Sequence, residues 1–241
     1  MKLINNMNFT DKLWVEKWVN EYYPPIVQDY EKKGMVVGTD KEPDASLCLA
    51  SFAEAMGSKF KEGMKVLDYG CGSARFANFL SLRLKDFQYF GLERKESNWG
   101  VLCVNKAIEL FDGDSRVNVG YVNTKLEEKA LETCDTVLLL SVFTHTTIEE
   151  TEKILVKLLP IVNRGGNIVF SVIFADEYKL IGNAYGFVDN YNITYNTKKQ
   201  IKDLKNKLNI NICLIDTLVS DGITLSPNNG VIHSIYQITK I

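Results

Sequence analysis

From residue 65 onward, short apolar runs alternate with segments whose apolar residues recur every three or four positions. Val66–Tyr69, Gln88–Glu93, Val117–Tyr121, Thr136–Ser141 and Asn167–Ile173 read as strands. Between the first two, Phe76, Phe79, Leu80 and Leu84 share one helical face. Trp99, Leu102, Cys103, Ala107 and Leu110 share a second, with Lys106 its one polar member, and Ile154, Leu155, Leu158 and Leu159 mark a third. Thr147 and Glu150 stand in capping-box spacing at the start of that third helix. Thr136–Ser141 is apolar almost throughout, as a central parallel strand covered on both faces should be. Gly165-Gly166 predicts a turn into the strand that follows. The alternation predicts an α/β fold with a doubly wound, mostly parallel sheet, helices on both faces and right-handed crossovers.

The flanks follow other patterns. Trp14, Trp18 and Tyr22 predict an aromatic-striped helix within residues 9–23, ended by Pro24-Pro25. A second helix starts near Pro43, with Leu49, Phe52, Ala53 and Met56 on one face and Gly57 as its stop. The chain thus divides into an N-terminal helical extension over 1–44 and a main domain over 45–241. Residues 175–197, rich in Tyr, Asn and Gly and without a period, predict a long lid-like loop over one end of the sheet. Ile201, Leu204 and Leu208 mark a basic amphipathic helix. The runs Ile210–Val219 and His233–Thr239, joined through Ser226-Pro227-Asn228-Asn229-Gly230, predict an antiparallel edge.

Composition narrows the partners. A hydrophobic share of 46% with 24% charged residues fits a globular protein with a full core, and a net charge of −2 argues against nucleic acid as a substrate. No apolar run is long enough to span a bilayer, so no membrane role is expected and cytoplasmic residence is the default. Five scattered cysteines without a C-x-x-C pair, and two histidines, speak against a disulfide framework or a metal site.

The candidate chemistry sits at the first strand–helix junction, Val66-Leu67-Asp68-Tyr69-Gly70-Cys71-Gly72-Ser73-Ala74-Arg75. Glycines at 70 and 72 allow a sharp turn and close approach of a ligand to the backbone. A dinucleotide fingerprint needs a small residue where this chain has Arg75, which argues against NAD or FAD, and the Lys-Ser/Thr of a phosphate loop is missing.

That stretch resembles the first motif of class I S-adenosylmethionine-dependent methyltransferases, with Ala74 at the place of the third glycine. Glu93, closing Phe90-Gly91-Leu92-Glu93, is similar to the acidic residue that holds the cofactor ribose in that family. Ser141-Val142-Phe143-Thr144-His145 resembles a segment ending the fourth strand in a group that modifies glycans and small metabolites. Asn163-Arg164-Gly165-Gly166 resembles the turn before the fifth strand, without the usual Pro. The resemblance implies a seven-stranded sheet with an antiparallel C-terminal strand, and S-adenosylmethionine as cofactor. It places cofactor contacts at Asp68, Tyr69, Gly70, Cys71, Gly72, Ser73, Arg75, Glu93, Arg94, Asn123, Thr124, Ser141, Val142 and Phe143. Within that set Asp68 serves the methionine end and Glu93 the ribose, while Asn123 and Thr124 fall beside the adenine, where an acidic residue is more usual. Cys71 reads as a small residue filling the turn, not a nucleophile.

His145 follows the fourth strand, where an acceptor would meet the donor methyl group. An imidazole there either accepts the acceptor's proton or is held at the Thr147 helix cap. The acceptor class left by these absences is a small metabolite or sugar intermediate, methylated on oxygen or nitrogen. The alternatives are a non-catalytic cofactor-binding subunit that supports a partner enzyme, which the aromatic helix at 9–23 would suit, and a nicotinamide-dependent dehydrogenase.

Overall fold

The computed structural model describes residues 60–81, 83–96, 98–181, 192–220 and 231–240. The helices expected around Trp14 and after Pro43 lie outside the described residues, as do the side chains of Arg75, Phe79, Trp99 and Leu102.

Each apolar run of the first half becomes a strand: β1 Met64–Tyr69, β2 Phe87–Glu93, β3 Val117–Tyr121, β4 Cys134–Leu139 and β5 Val162–Phe174. The helices between them are α1 Arg75–Ser81, α2 Asn98–Leu110, α3 Lys125–Ala130 and α4 Ile148–Leu158, which opens on the expected Thr147–Glu150 capping box. Strands β3-β2-β1-β4-β5 stand side by side and all run parallel. Successive residues of these strands feed opposite faces. Val66, Leu138 and Val169 pack with Phe76, Ala77 and Leu80 of α1, while Leu67, Val137, Ile168 and Phe170 pack with Leu155 and Leu158 of α4. Burial on both faces explains why the central strands read as unbroken apolar runs.

The C-terminal half completes the sheet in a different order from the chain. α5 Lys198–Leu208 starts at a second capping box, Thr197–Gln200, and buries Ile201 and Leu204. β8 Ile212–Ser220 and β9 Val231–Thr239 pair antiparallel as expected, but it is β9 that docks on β5, also antiparallel, so β8 takes the edge.

The segment 175–197 carries two short strands where a loop was expected, β6 Lys179–Ile181 and β7 Ile193–Asn196, paired antiparallel. They bring the described sheet to nine strands instead of seven. Ile173 pairs with His233 of β9 and also with Tyr195 of β7. A strand has only two edges. β7 therefore occupies the edge of β5 that β4 vacates after Leu139, directly beyond the carboxyl end of β4. No described helix is long and apolar enough to cross a membrane.

Candidate active site at the carboxyl ends of the strands

The sheet order reverses between β1 and β4, and ligands of open α/β sheets bind outside the strand ends at such a switch point. Here the backbone is held in unusual conformations. Gly70 and Gly72 have φ of +86° and +52°, and Ala74 follows at +57°. Asn123 after β3 (φ 60°) and Ser141 after β4 (φ 58°) are also left-handed. Non-glycine residues rarely adopt this region, and strain of this kind concentrates at functional sites. The fourth left-handed non-glycine residue among those described, Asn209, simply caps α5.

Hydrogen bonds tie these turns together. Gly70 N–H donates to Leu92 O at 2.7 Å, and Cys71 N–H to the same oxygen at 3.2 Å. Gly72 N–H donates to Glu93 Oε2 at 2.9 Å, while Arg94 N–H donates to Oε1 at 2.8 Å. Each carboxylate oxygen has two acceptor positions, so Glu93 retains capacity for a further donor on each. Burial outweighs these two donors and raises the Glu93 carboxyl above its ordinary range. A Cβ on Gly70 would lie 2.5 Å from Val142 Cγ2, which brings the turns after β1 and β4 into contact. A Cβ on Gly72 would meet none of the described residues within 4 Å, so among them space opens above this backbone.

Asp68 is placed under the turn, 4% exposed, and its Oδ2 accepts the Tyr89 hydroxyl at 2.7 Å. Burial, followed by the Asp68 charge, pushes the Tyr89 hydroxyl well up and keeps it a donor. Tyr69 points to the opposite face, where burial pushes its hydroxyl to about 12, and Lys157 Nζ lies 5.9 Å from its ring centre. Cys71 seats its Sγ in the space beside Gly91, where a Cβ would lie 2.9 Å away. Burial raises this thiol well above its ordinary range, which fits a space-filling role. Ser73 is buried and Arg94 exposed.

After β3, Asn123 is exposed and donates its N–H to Glu127 Oε2 at 2.8 Å, while the Thr124 hydroxyl donates to Tyr121 O at 2.6 Å. After β4, Ser141 donates its N–H to the buried Ser171 Oγ at 2.8 Å. The Phe143 ring is fully buried, 5.2 Å from that of Phe170, in the core beneath the site.

His145 is half-buried, and its Nδ1 lies 2.7 Å from Asn192 O, just before β7. A carbonyl only accepts, so in the neutral ring Nδ1 carries the hydrogen and Nε2 the lone pair. β7 holds the same loop twice more: Thr194 N–H donates to Thr144 O at 2.8 Å, and Asn196 Nδ2 to Phe143 O at 3.4 Å. Sequence reasoning missed Tyr89, Glu127, Ser171 and this strand. A signal for Glu127 was its capping-box spacing from Thr124, at the start of α3.

The methyltransferase-domain family matches residues 44–213 of the chain. The protein belongs to this family. The matched methyltransferase domain spans every turn described above, from Asp68 to His145 and on through β7. Its fold is similar to magnesium protoporphyrin IX methyltransferase from Synechocystis PCC 6803 with bound S-adenosylhomocysteine, at 15% identity and a TM-score of 0.57 over 95% of this chain and 100% of that one. It is also similar to a SAM-dependent methyltransferase from Methanosarcina mazei, at 11% identity and a TM-score of 0.56 over 77% of this chain and 96% of that one. A third similar structure is the N-terminal domain of EvdMO1 with S-adenosylhomocysteine bound, at 12% identity and a TM-score of 0.57, covering 98% and 100%. No curated protein sequence matches the chain significantly. The expectation of S-adenosylmethionine as cofactor agrees with membership of this methyltransferase family.

The residues present also fit that cofactor. It carries no phosphate and needs acceptors for a ribose diol. Glu93 offers them beside the open backbone of Gly72.

Proposed function

We propose that this methyltransferase domain moves a methyl group from S-adenosylmethionine to an oxygen or nitrogen of a small metabolite or sugar intermediate, with His145 as general base. One observation carries the reading: the Glu93 carboxylate is anchored to both Gly72 and Arg94 N–H groups at the switch point of the sheet. Glu93 receives the ribose hydroxyls, the Gly70–Ser73 turn lies along the methionine end, and Asn123 and Thr124 border the adenine. When bound, the cofactor supplies a methyl group already activated on a sulfonium. The protein's remaining work is to align the acceptor, exclude water and remove a proton.

His145 takes that proton at Nε2 from the acceptor's O–H or N–H. Asn192 O holds the ring in the required tautomer, and β7 fixes the loop that carries it. The β6–β7 hairpin, within the Tyr- and Asn-rich segment 175–197, covers the acceptor side because it stands over the end of β4. Asp68 supports the turn from below through Tyr89.

The test is to incubate the full chain with S-adenosylmethionine and a panel of sugars, sugar nucleotides and small hydroxy- and amino-metabolites, scoring S-adenosylhomocysteine formed. Acceptor-dependent product supports the reading. Binding of S-adenosylhomocysteine by calorimetry without turnover on any acceptor would favour a non-catalytic subunit, and binding of NAD in its place would overturn the donor assignment.

A further inference from the structure

Among the described residues, two helices open on an N-cap threonine with glutamate three residues on, at Thr124–Glu127 and at Thr147–Glu150. At α4 the pair forms both bonds of a capping box. At α3 it forms neither. The Thr124 hydroxyl donates to Tyr121 O instead, and Glu127 reaches one residue further back, so that its Oε2 accepts the N–H of Asn123 at 2.8 Å. Its other oxygen, Oε1, accepts Lys157 Nζ of α4 at 2.7 Å. The Glu127 side chain is 7% exposed and that of Lys157 39%, so a buried acid is held between a strained turn and a neighbouring helix.

The residue it restrains is Asn123, left-handed at φ 60° and placed after β3. Asn tolerates this conformation better than most residues but still pays for it relative to glycine. Without a fixed acceptor for its N–H, the turn would spend part of its time in the ordinary right-handed or extended regions. A cap diverted from its own helix onto this N–H is difficult to explain by helix stability alone, because α3 thereby loses an end bond.

We infer that Glu127 is a positioning residue that pre-forms the adenosine side of the cofactor site by locking Asn123 in its left-handed conformation. The inference rests on the reading of this cleft as the S-adenosylmethionine site. Glu127 does not touch the cofactor; it acts through Asn123.

A double-mutant cycle in the full chain separates this role from general stability. Amide hydrogen exchange at Asn123 and S-adenosylhomocysteine affinity by calorimetry are read for each variant, with a melting curve to establish folding. Glu127→Ala is expected to speed exchange at Asn123 and weaken affinity about tenfold. Glu127→Gln keeps an acceptor oxygen for Asn123 and discards the charge, so its affinity stays within about threefold of wild type. In the Asn123→Gly background, where the left-handed region carries no side-chain penalty, Glu127→Ala costs less than about twofold. An equal loss from Glu127→Ala in both backgrounds overturns the inference, as does a loss from Glu127→Gln as large as from Glu127→Ala. The latter would assign the effect to the Lys157 pair. Wild-type chain that binds no S-adenosylhomocysteine overturns the reading of the cleft itself, and the inference with it.

Discussion

Glu93 Oε2 accepts the backbone N–H of Gly72 at 2.9 Å, so the glycine turn after β1 and the end of β2 form one unit. The carboxylate is also desolvated, and burial is the larger effect on its proton affinity.

Stability and cofactor affinity are therefore expected to move in opposite directions with pH. The folded-state pKa of Glu93 lies above its ordinary value of 4.5. Its stabilising contribution is complete below the unfolded-state value and is lost as pH rises through the raised one. The ribose needs the ionised acceptor, so affinity for S-adenosylhomocysteine falls as pH drops through the same window. Melting temperatures and calorimetry on wild type and Glu93→Gln, from about pH 4 to about pH 8, check both signs. Stability curves that stay parallel throughout would remove Glu93 as the titrating group.

The two glycines of the turn should respond unequally to alanine. Gly70→Ala meets both a φ of +86° and Val142 Cγ2 at 2.5 Å, and should cost about 2–4 kcal/mol in urea unfolding. Gly72→Ala meets none of the described residues within 4 Å and carries only the backbone penalty, about 1–2 kcal/mol. Val142→Ala should recover part of the Gly70→Ala loss and none of the Gly72→Ala loss. Equal costs would mean that the turns after β1 and β4 do not press on each other.

His145→Ala should lower turnover by about 10²–10⁴-fold on any acceptor that must lose its proton. S-adenosylhomocysteine affinity should be unaltered, because this side chain is tied to Asn192 on the acceptor side. Steady-state kinetics paired with calorimetry separate the two quantities, and unchanged turnover would leave His145 as a structural residue that ties this loop to Asn192.

Thr194 offers a stability test beside the same loop. Its Oγ1 is buried without a hydrogen-bond partner among the described residues, whereas its N–H is used by Thr144 O. Thr194→Val keeps the shape and removes the orphan hydroxyl, so it should raise stability by about 1 kcal/mol. A drop in melting temperature would show that this hydroxyl is engaged in the working protein.

The central parallel strands were legible because they had to be apolar on both faces, and the turn at Gly70 and Gly72 was legible because glycine there has a backbone reason. Other features left no local trace. Tyr89 reads like any aromatic strand residue, and only the pairing of β1 with β2 brings it to Asp68. Phe143 follows the glycine-contacting Val142 in sequence, but one step along the chain turns it into the core. β6 is exposed along its whole length, and β7 is four residues long and held by partners at 144 and 173, so neither shows a period. At the start of β5 the expected turn is a bulge inside a longer strand. Gly166 passes so close to Asp135 O that a Cβ would lie 2.5 Å from it.

The placement of β9 between β5 and β8 has a bearing on how the protein is made. Synthesis runs in chain order, yet the strand that joins β5 to β8 follows them both. A growing chain can assemble β1 to β5 around α1 to α4 and still present the long apolar edge of β5, with its N–H and C=O groups unpaired, until residues 231–239 emerge. Among the described strands β8 pairs with β9 alone, so it too waits for residues 231–239, and any ribosomal pause before they emerge prolongs the interval in which two nascent copies can zip together along β5.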